Sequence, residues 1–151
     1  MDRAEVKVLP PFIFLAFLSL GVSAGLSSSA RMAAPETATT MGVILIVASV
    51  TIVGLAFDAL ARAETPIDVR RPTATLVTTG IFSATRNPIY LSMTLLHIGV
   101  AFFVNSPWTF LLAAPMTSTL CLIAIKPEER YLERKFGDAY RAYRARTPRW
   151  L

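Results

Sequence analysis

The sequence predicts an all-α, multi-pass membrane protein: about four transmembrane helices followed by a C-terminal cytoplasmic amphipathic helical tail. Three observations predict it. Of 151 residues, 54% are apolar and only 17% are charged, too apolar a balance for an ordinary soluble domain. The apolar residues are gathered into long uncharged runs. The basic residues lie almost wholly on alternate sides of those runs, as the positive-inside bias of membrane proteins requires. A chain of this length is expected to form one domain over residues 1–151.

The first run, residues 8–26, carries no charge and starts at Pro10-Pro11, a suitable helix start because proline has no N–H to lose there. Its length approaches the ~20 residues a span needs. A cleavable signal peptide is the competing reading, with Arg3 and Lys7 before the apolar core and Ser28-Ser29-Ala30 as a small-residue site. The acids Asp2 and Glu5 and the length of the core favour a retained helix. Residues 27–40, with Arg31 and Pro35, read as a loop. The second span covers about 41–61. Asp58 and Arg62, four apart, are placed to pair on one face at its interfacial end. That helix-end pair is preferred over a functional Asp58. Glu64-Thr65-Pro66 then breaks the helix.

Residues 87–125 contain no Asp, Glu, Lys or Arg across 39 positions. As one helix they would reach ~58 Å, nearly twice the ~30 Å hydrocarbon core. Asn105-Ser106-Pro107 supplies the turn that divides them into a hairpin, with spans of about 88–104 and 107–125. With the N-terminus inside, fourteen of the fifteen basic residues fall on the cytoplasmic side, and Arg31 alone falls outside. Both termini are therefore expected in the cytoplasm, at the inner membrane of a bacterium or archaeon. The stretch 75–90 and the tail then share one side of the membrane. In the tail, Leu132, Phe136, Tyr140 and Tyr143 recur at helical spacing among arginines, and Gly137-Asp138 suits the end of one short helix and the cap of the next. Taken alone, it reads as a basic amphipathic segment on anionic lipid.

Several function classes are disfavoured. The positive charge flanks apolar spans without a nucleic-acid-binding motif, so membrane lipid and not nucleic acid is the expected partner. There is no Cys/His cluster to hold a metal, and Cys121 is the single cysteine. No phosphate loop, dinucleotide-binding turn or nucleophile elbow is present.

Chemistry-bearing residues gather around 75–90. Gly80 admits conformations other residues resist, and Arg86-Asn87-Pro88 stands at the mouth of the third span. Tyr90 lies at the interface, and Glu128 and Glu129 open the tail at the same depth. Acids in a first helical turn are favourable through the dipole alone. A carboxylate facing a polar turn is equally suited to ribose hydroxyls or an ammonium group. His97, two turns beyond Tyr90, is an intramembrane histidine and so a candidate catalytic base. A helix–helix hydrogen bond is the preferred alternative.

The segments Ala74-Thr-Leu-Val77, Thr-Thr-Gly80-Ile-Phe82, Arg86-Asn-Pro88-Ile-Tyr90, Pro127-Glu-Glu129, Phe136-Gly-Asp-Ala-Tyr140-Arg-Ala-Tyr143 and Pro148-Arg-Trp-Leu151 together resemble the isoprenylcysteine carboxyl methyltransferase-like family, a relative of the phospholipid N-methyltransferases. The resemblance covers about the last eighty residues. It implies a multi-span helical methyltransferase using S-adenosyl-L-methionine, held between the turn before a membrane hairpin and the acidic helix after it. Carried over residue by residue, it implicates Ala74, Thr75, Leu76, Val77, Phe82, Asn87, Pro88, Ile89, Tyr90 and Glu128 in cofactor binding, within regions 74–90 and 126–148. Two departures bear on the substrate: Asn87 stands where the prenylcysteine enzymes usually have His, and Ala124 where their eukaryotic members use Arg to grip the substrate. The second weakens a prenylcysteine acceptor specifically.

The expected function is therefore methyl transfer to an amphipathic or lipid-like acceptor bearing a carboxylate, thiol or amine. Such a transfer depends on alignment and exclusion of water more than on an acid or base. Two other classes stay open: a non-enzymatic membrane protein whose basic tail binds anionic lipid or a partner, and a nicotinamide-dependent membrane reductase.

Overall fold

The computed structural model describes residue 6 and residues 8–68 and 71–151. Arg3, Lys7 and Arg70, part of the charge-bias reading, lie outside the described residues, as do Asp2 and Glu5. Among the described residues there are helices and no strands: α1 (Pro10–Leu26), α2 (Pro35–Arg62), α3 (Ile81–Ala84), α4 (Pro88–Phe103), α5 (Pro107–Leu120), a π-helical turn (Cys121–Ile125) and α6 (Lys126–Arg146). The chain is an all-helical, multi-pass membrane protein. Two stretches, α2 and the continuous run from α5 into α6, are long and apolar enough to cross a membrane; α1 and α4 are shorter apolar helices.

Proline starts four of these helices, at Pro10, Pro35, Pro88 and Pro107, where the missing N–H costs nothing. Pro35 marks a correction. The expected loop 27–40 ends six residues early, because Pro35 begins α2 and does not interrupt a linker. At 28 residues α2 runs ~42 Å, longer than the ~30 Å hydrocarbon core, and Asp58 and Arg62 lie in its last turns. Those two side chains are exposed and paired at 2.9 Å. The hairpin turn forms where expected. Asn105 takes φ 52°, Ser106 Oγ accepts from Thr109 N, and the Asn105 side chain clips the α1–α2 loop through Met32 and Ala33.

α4 packs against α2 on one side and α5 on the other, and α1 covers α5. Lipid-embedded helices gain little hydrophobic drive by associating with one another, so close packing and interhelical hydrogen bonds carry the association. Gly21 on α1 faces the backbone of Thr109 so closely that a Cβ would meet its Cα at 2.7 Å, and Gly42 on α2 approaches Phe103 N to 2.6 Å by the same measure. Ser49 Oγ donates to Ser92 O at 2.8 Å between α2 and α4. His97 Nε2 and Thr109 O lie 2.9 Å apart between α4 and α5.

The end of α5 departs from regular helix. Pro127 would clash with the carbonyl four residues back in an α-helix, and the π turn immediately before it widens the backbone, with Lys126 N bonded to Cys121 O. The extra residue in that turn rotates everything after it by roughly 100°. It aims the first turn of α6, with Glu128 and Glu129, back toward α4. Further along, Gly137 takes φ 52° and breaks α6 in two, the role its position suggested.

Candidate active site

Where α4 begins and α6 turns back, a cavity of about 450 Å³ opens. Its polar side comes from two separate segments. Pro88 starts α4 so that Tyr90, in its first turn, projects from a buried position toward α6. Its hydroxyl donates to Glu128 Oε2 at 2.8 Å. Burial raises the Glu128 carboxyl from the ordinary range to about 7; the Tyr90 hydrogen bond pulls against this shift, and neighbouring Glu129 adds to it.

The two adjacent acids have separate tasks. Glu129 accepts from Arg86 Nη1 at 2.9 Å and from Arg149 at 2.7 and 3.0 Å, so two guanidiniums neutralise it. Glu128 has the tyrosine hydroxyl and, among the described residues, no cation within bonding distance. An acid raised this way at a cavity wall is poised to accept from hydroxyls or to pair with a cation.

The remaining walls are largely apolar. Thr75, Leu76 and Val77 form one side, with Phe82, Asn87 and Ile89 beside them. Gly80 takes φ 61° just before α3, a left-handed conformation that glycine tolerates. The turn it makes brings Phe82 back to the tail, where the Tyr143 hydroxyl donates to Phe82 O at 2.6 Å. Thr65 Oγ1 anchors the start of the loop through Thr75 N and O.

Of the ten residues expected around a cofactor, the structure gathers eight at this cavity: Thr75, Leu76, Val77, Phe82, Asn87, Ile89, Tyr90 and Glu128. Ala74 is exposed next to that wall, and Pro88 is buried as the first residue of α4; neither lines the cavity. His97 does not reach it either. It is fully buried between helices, with Phe14 edge-on at 6.3 Å and its Nδ1 without a partner. Ala124 is fully buried in the core with Met116 and Leu120.

Several wall residues stand outside the named cofactor-binding set. Glu129, Tyr140 and Tyr143 line the cavity; they fall in the expected cofactor region 126–148 and in the motifs of the tail, without a role assigned to them singly. The tail is therefore no simple surface helix, since Tyr131, Tyr140 and Tyr143 are all buried. The cavity is also lined by Leu9, Pro10 and Pro11 around the start of α1 and by Phe57 and Leu60 on α2. Nothing in the local sequence connects those positions to residue 128.

A helical membrane bundle with a half-enclosed, largely apolar cavity that also carries carboxylates on its walls has the form expected of a small-molecule site in a membrane protein. The phospholipid methyltransferase family matches residues 37–139, more than half of the chain, and the chain belongs to that family. An uncharacterized protein of Haemophilus influenzae is 33% identical over 63 residues, 42% of this chain and 100% of that protein. No solved structure matches the chain.

Proposed function

We propose that this family member is an S-adenosyl-L-methionine-dependent enzyme that methylates an amphipathic, lipid-like acceptor at the membrane surface. The observation that carries the reading is the Tyr90–Glu128 pair set in the wall of a largely apolar cavity. The volume lies within the range of small-molecule sites, and the residues suit the cofactor's parts. Leu76, Val77, Phe82 and Ile89 offer apolar and aromatic walls for adenine; Glu128 offers an acceptor for ribose hydroxyls; Asn87 and the main chain of 74–77, with Pro88 ending the polar turn, offer polar groups to the amino-acid end. When bound, S-adenosylmethionine supplies an electrophilic methyl group on a sulfonium centre.

The protein's own part is to bind, orient and exclude water. Tyr90 holds the Glu128 carboxylate in one orientation, and α6 closes the cavity from the solvent side. Leu9, Pro10, Pro11, Phe57 and Leu60 add an apolar lining suited to the chain of an amphipathic acceptor. No residue is assigned as catalytic base. His97, held by Thr109 O outside the cavity, serves the helix packing in this reading. Residues 1–151 act as one unit, with cofactor region 74–90 plus 126–148 and both termini cytoplasmic in the inner membrane.

Isothermal calorimetry of the purified protein with S-adenosylhomocysteine tests the cofactor. Saturable binding lost in Glu128→Ala supports the site, and absence of binding by the intact protein removes the basis of the reading. NADPH binding in its place would point to a reductase. A radiolabelled methyl-transfer assay over lipid amines, lipid carboxylates and small thiols then identifies the acceptor class.

A further inference from the structure

The residues after α6 fold back over the turn that carries Asn87. Three consecutive carbonyls of the tail accept from three consecutive residues of that turn. Arg86 Nε donates to Thr147 O at 3.0 Å, and Arg86 N donates to Pro148 O at 3.0 Å. Thr85 Oγ1 and Asn87 Nδ2 both donate to Arg149 O at 3.1 Å. Thr85, Asn87 and Thr147 are buried there, at 0%, 7% and 3% exposure. Finishing a helix would need only the Thr147 N–H, which bonds to Tyr143 O. The further bonds tie the tail to a part of the chain some sixty residues away.

Arg149 fixes this clasp. Its guanidinium makes two hydrogen bonds to Glu129, at 2.7 and 3.0 Å, and Glu129 in turn bonds Arg86. One carboxylate thus holds both the turn and the tail. Arg149 lies outside residues 37–139, where the family match falls, and does not line the cavity. With its amide nitrogen bonded to Arg149 O, Asn87 has its amide oxygen left to offer a ligand.

We propose that Arg149 is a positioning residue of the cofactor site: through Glu129 and its own carbonyl it holds the Thr85–Arg86–Asn87 turn, and with it Asn87, in the binding conformation. The inference rests on the reading that the cavity binds S-adenosylmethionine. Arg149→Ala leaves Glu129 paired with Arg86, so the helices keep their packing. What is lost is the guanidinium's grip on Glu129, which fixes the tail over the turn; the carbonyls of residues 147–149 remain but are no longer anchored.

The test is equilibrium binding of S-adenosylhomocysteine to the full chain, recording both affinity and number of sites for wild type, Arg149→Ala, Arg149→Lys and Thr85→Val. Arg149→Ala is expected to weaken affinity about tenfold at an unchanged number of sites, the scale of a lost pair of charge-assisted hydrogen bonds. Arg149→Lys, which keeps the charge, is expected to recover to within about threefold of wild type, and Thr85→Val to lose about threefold. Unchanged affinity in Arg149→Ala overturns the proposal. So does a fall in the number of sites at unchanged affinity, which is the mark of a purely structural residue, or a lysine variant no better than alanine. Absence of binding by wild type refutes the cofactor reading itself and this inference with it.

Discussion

Glu128 and Glu129 are neighbours with the same side chain, and replacing each with glutamine is expected to give opposite results. Glu129 is 12% exposed and bonded to Arg86, itself 9% exposed, and to Arg149, 36% exposed. Removing its charge leaves Arg86 buried without a counterion, and breaking a buried pair in this way costs about 3–5 kcal/mol. The Arg149 half contributes little to that figure, because a guanidinium one-third exposed is screened and can turn to solvent. Glutamine also keeps one acceptor for Arg86, which brings the expected loss to the low end, about 3 kcal/mol. For a chain of this size that corresponds to a fall in Tm of about 6–12 °C. Glu128 behaves differently. Its carboxyl is raised to about 7, chiefly by burial, so at pH 8 the folded protein holds a charge that burial disfavours. The Glu128→Gln substitution removes that charge and keeps an acceptor for the Tyr90 hydroxyl. The expected Tm at pH 8 is unchanged or slightly higher, while affinity for S-adenosylhomocysteine falls about tenfold for want of a charged acceptor. Thermal unfolding in detergent at one scan rate, with calorimetry on the same samples, reads both quantities. If Glu128→Gln is destabilised as much as Glu129→Gln, the division of tasks between the two acids is wrong.

The raised Glu128 carboxyl also sets a pH dependence. Between about 4.5 and about 7 the unfolded chain has released a proton that the folded protein still holds, so this group's contribution to stability is fully present at the acid end and declines as pH rises. Affinity for S-adenosylhomocysteine should run the other way, rising through about pH 7 as Glu128 ionises, and calorimetry across pH 5.5–8.5 should find that rise absent in Glu128→Gln. His97→Leu removes the 2.9 Å contact with Thr109 O; a stability loss of about 1 kcal/mol with cofactor affinity unchanged is expected, and a large loss of affinity would return His97 to the site. Gly137→Ala forces a Cβ into φ 52°, ψ −122° with open space around it, so a loss of about 1–3 kcal/mol by strain alone is expected in thermal unfolding.

How much of this protein was legible in its sequence varies by level. The helices were legible because their signals are local. Uncharged runs mark the spans, Asn105-Ser106-Pro107 marks the hairpin, and Gly137 marks the break in the tail. The boundary at Pro35 was misread, since a proline opens a helix as readily as it interrupts a loop and only the residues packed after it decide which. The cavity wall 75–90 was legible for a similar reason: Gly80, Arg86-Asn87-Pro88 and Tyr90 form one contiguous motif, and the acids after the last span share its expected depth.

What the sequence alone determined is therefore an all-helical membrane chain and two segments with the chemistry of a site. The tertiary structure decided how those segments meet. A π turn before Pro127 rotates α6 so that Glu128 points into the cavity and Glu129 into a pair of arginines, a distinction invisible in two adjacent identical residues. It also brought Leu9 and Phe57 to the cavity of Glu128 and Arg149 to Glu129, from parts of the chain that no local pattern connects. The physical reason is that hydropathy and turn chemistry act over a few residues, whereas charge pairing and cavity walls depend on helix rotation and on which faces pack together.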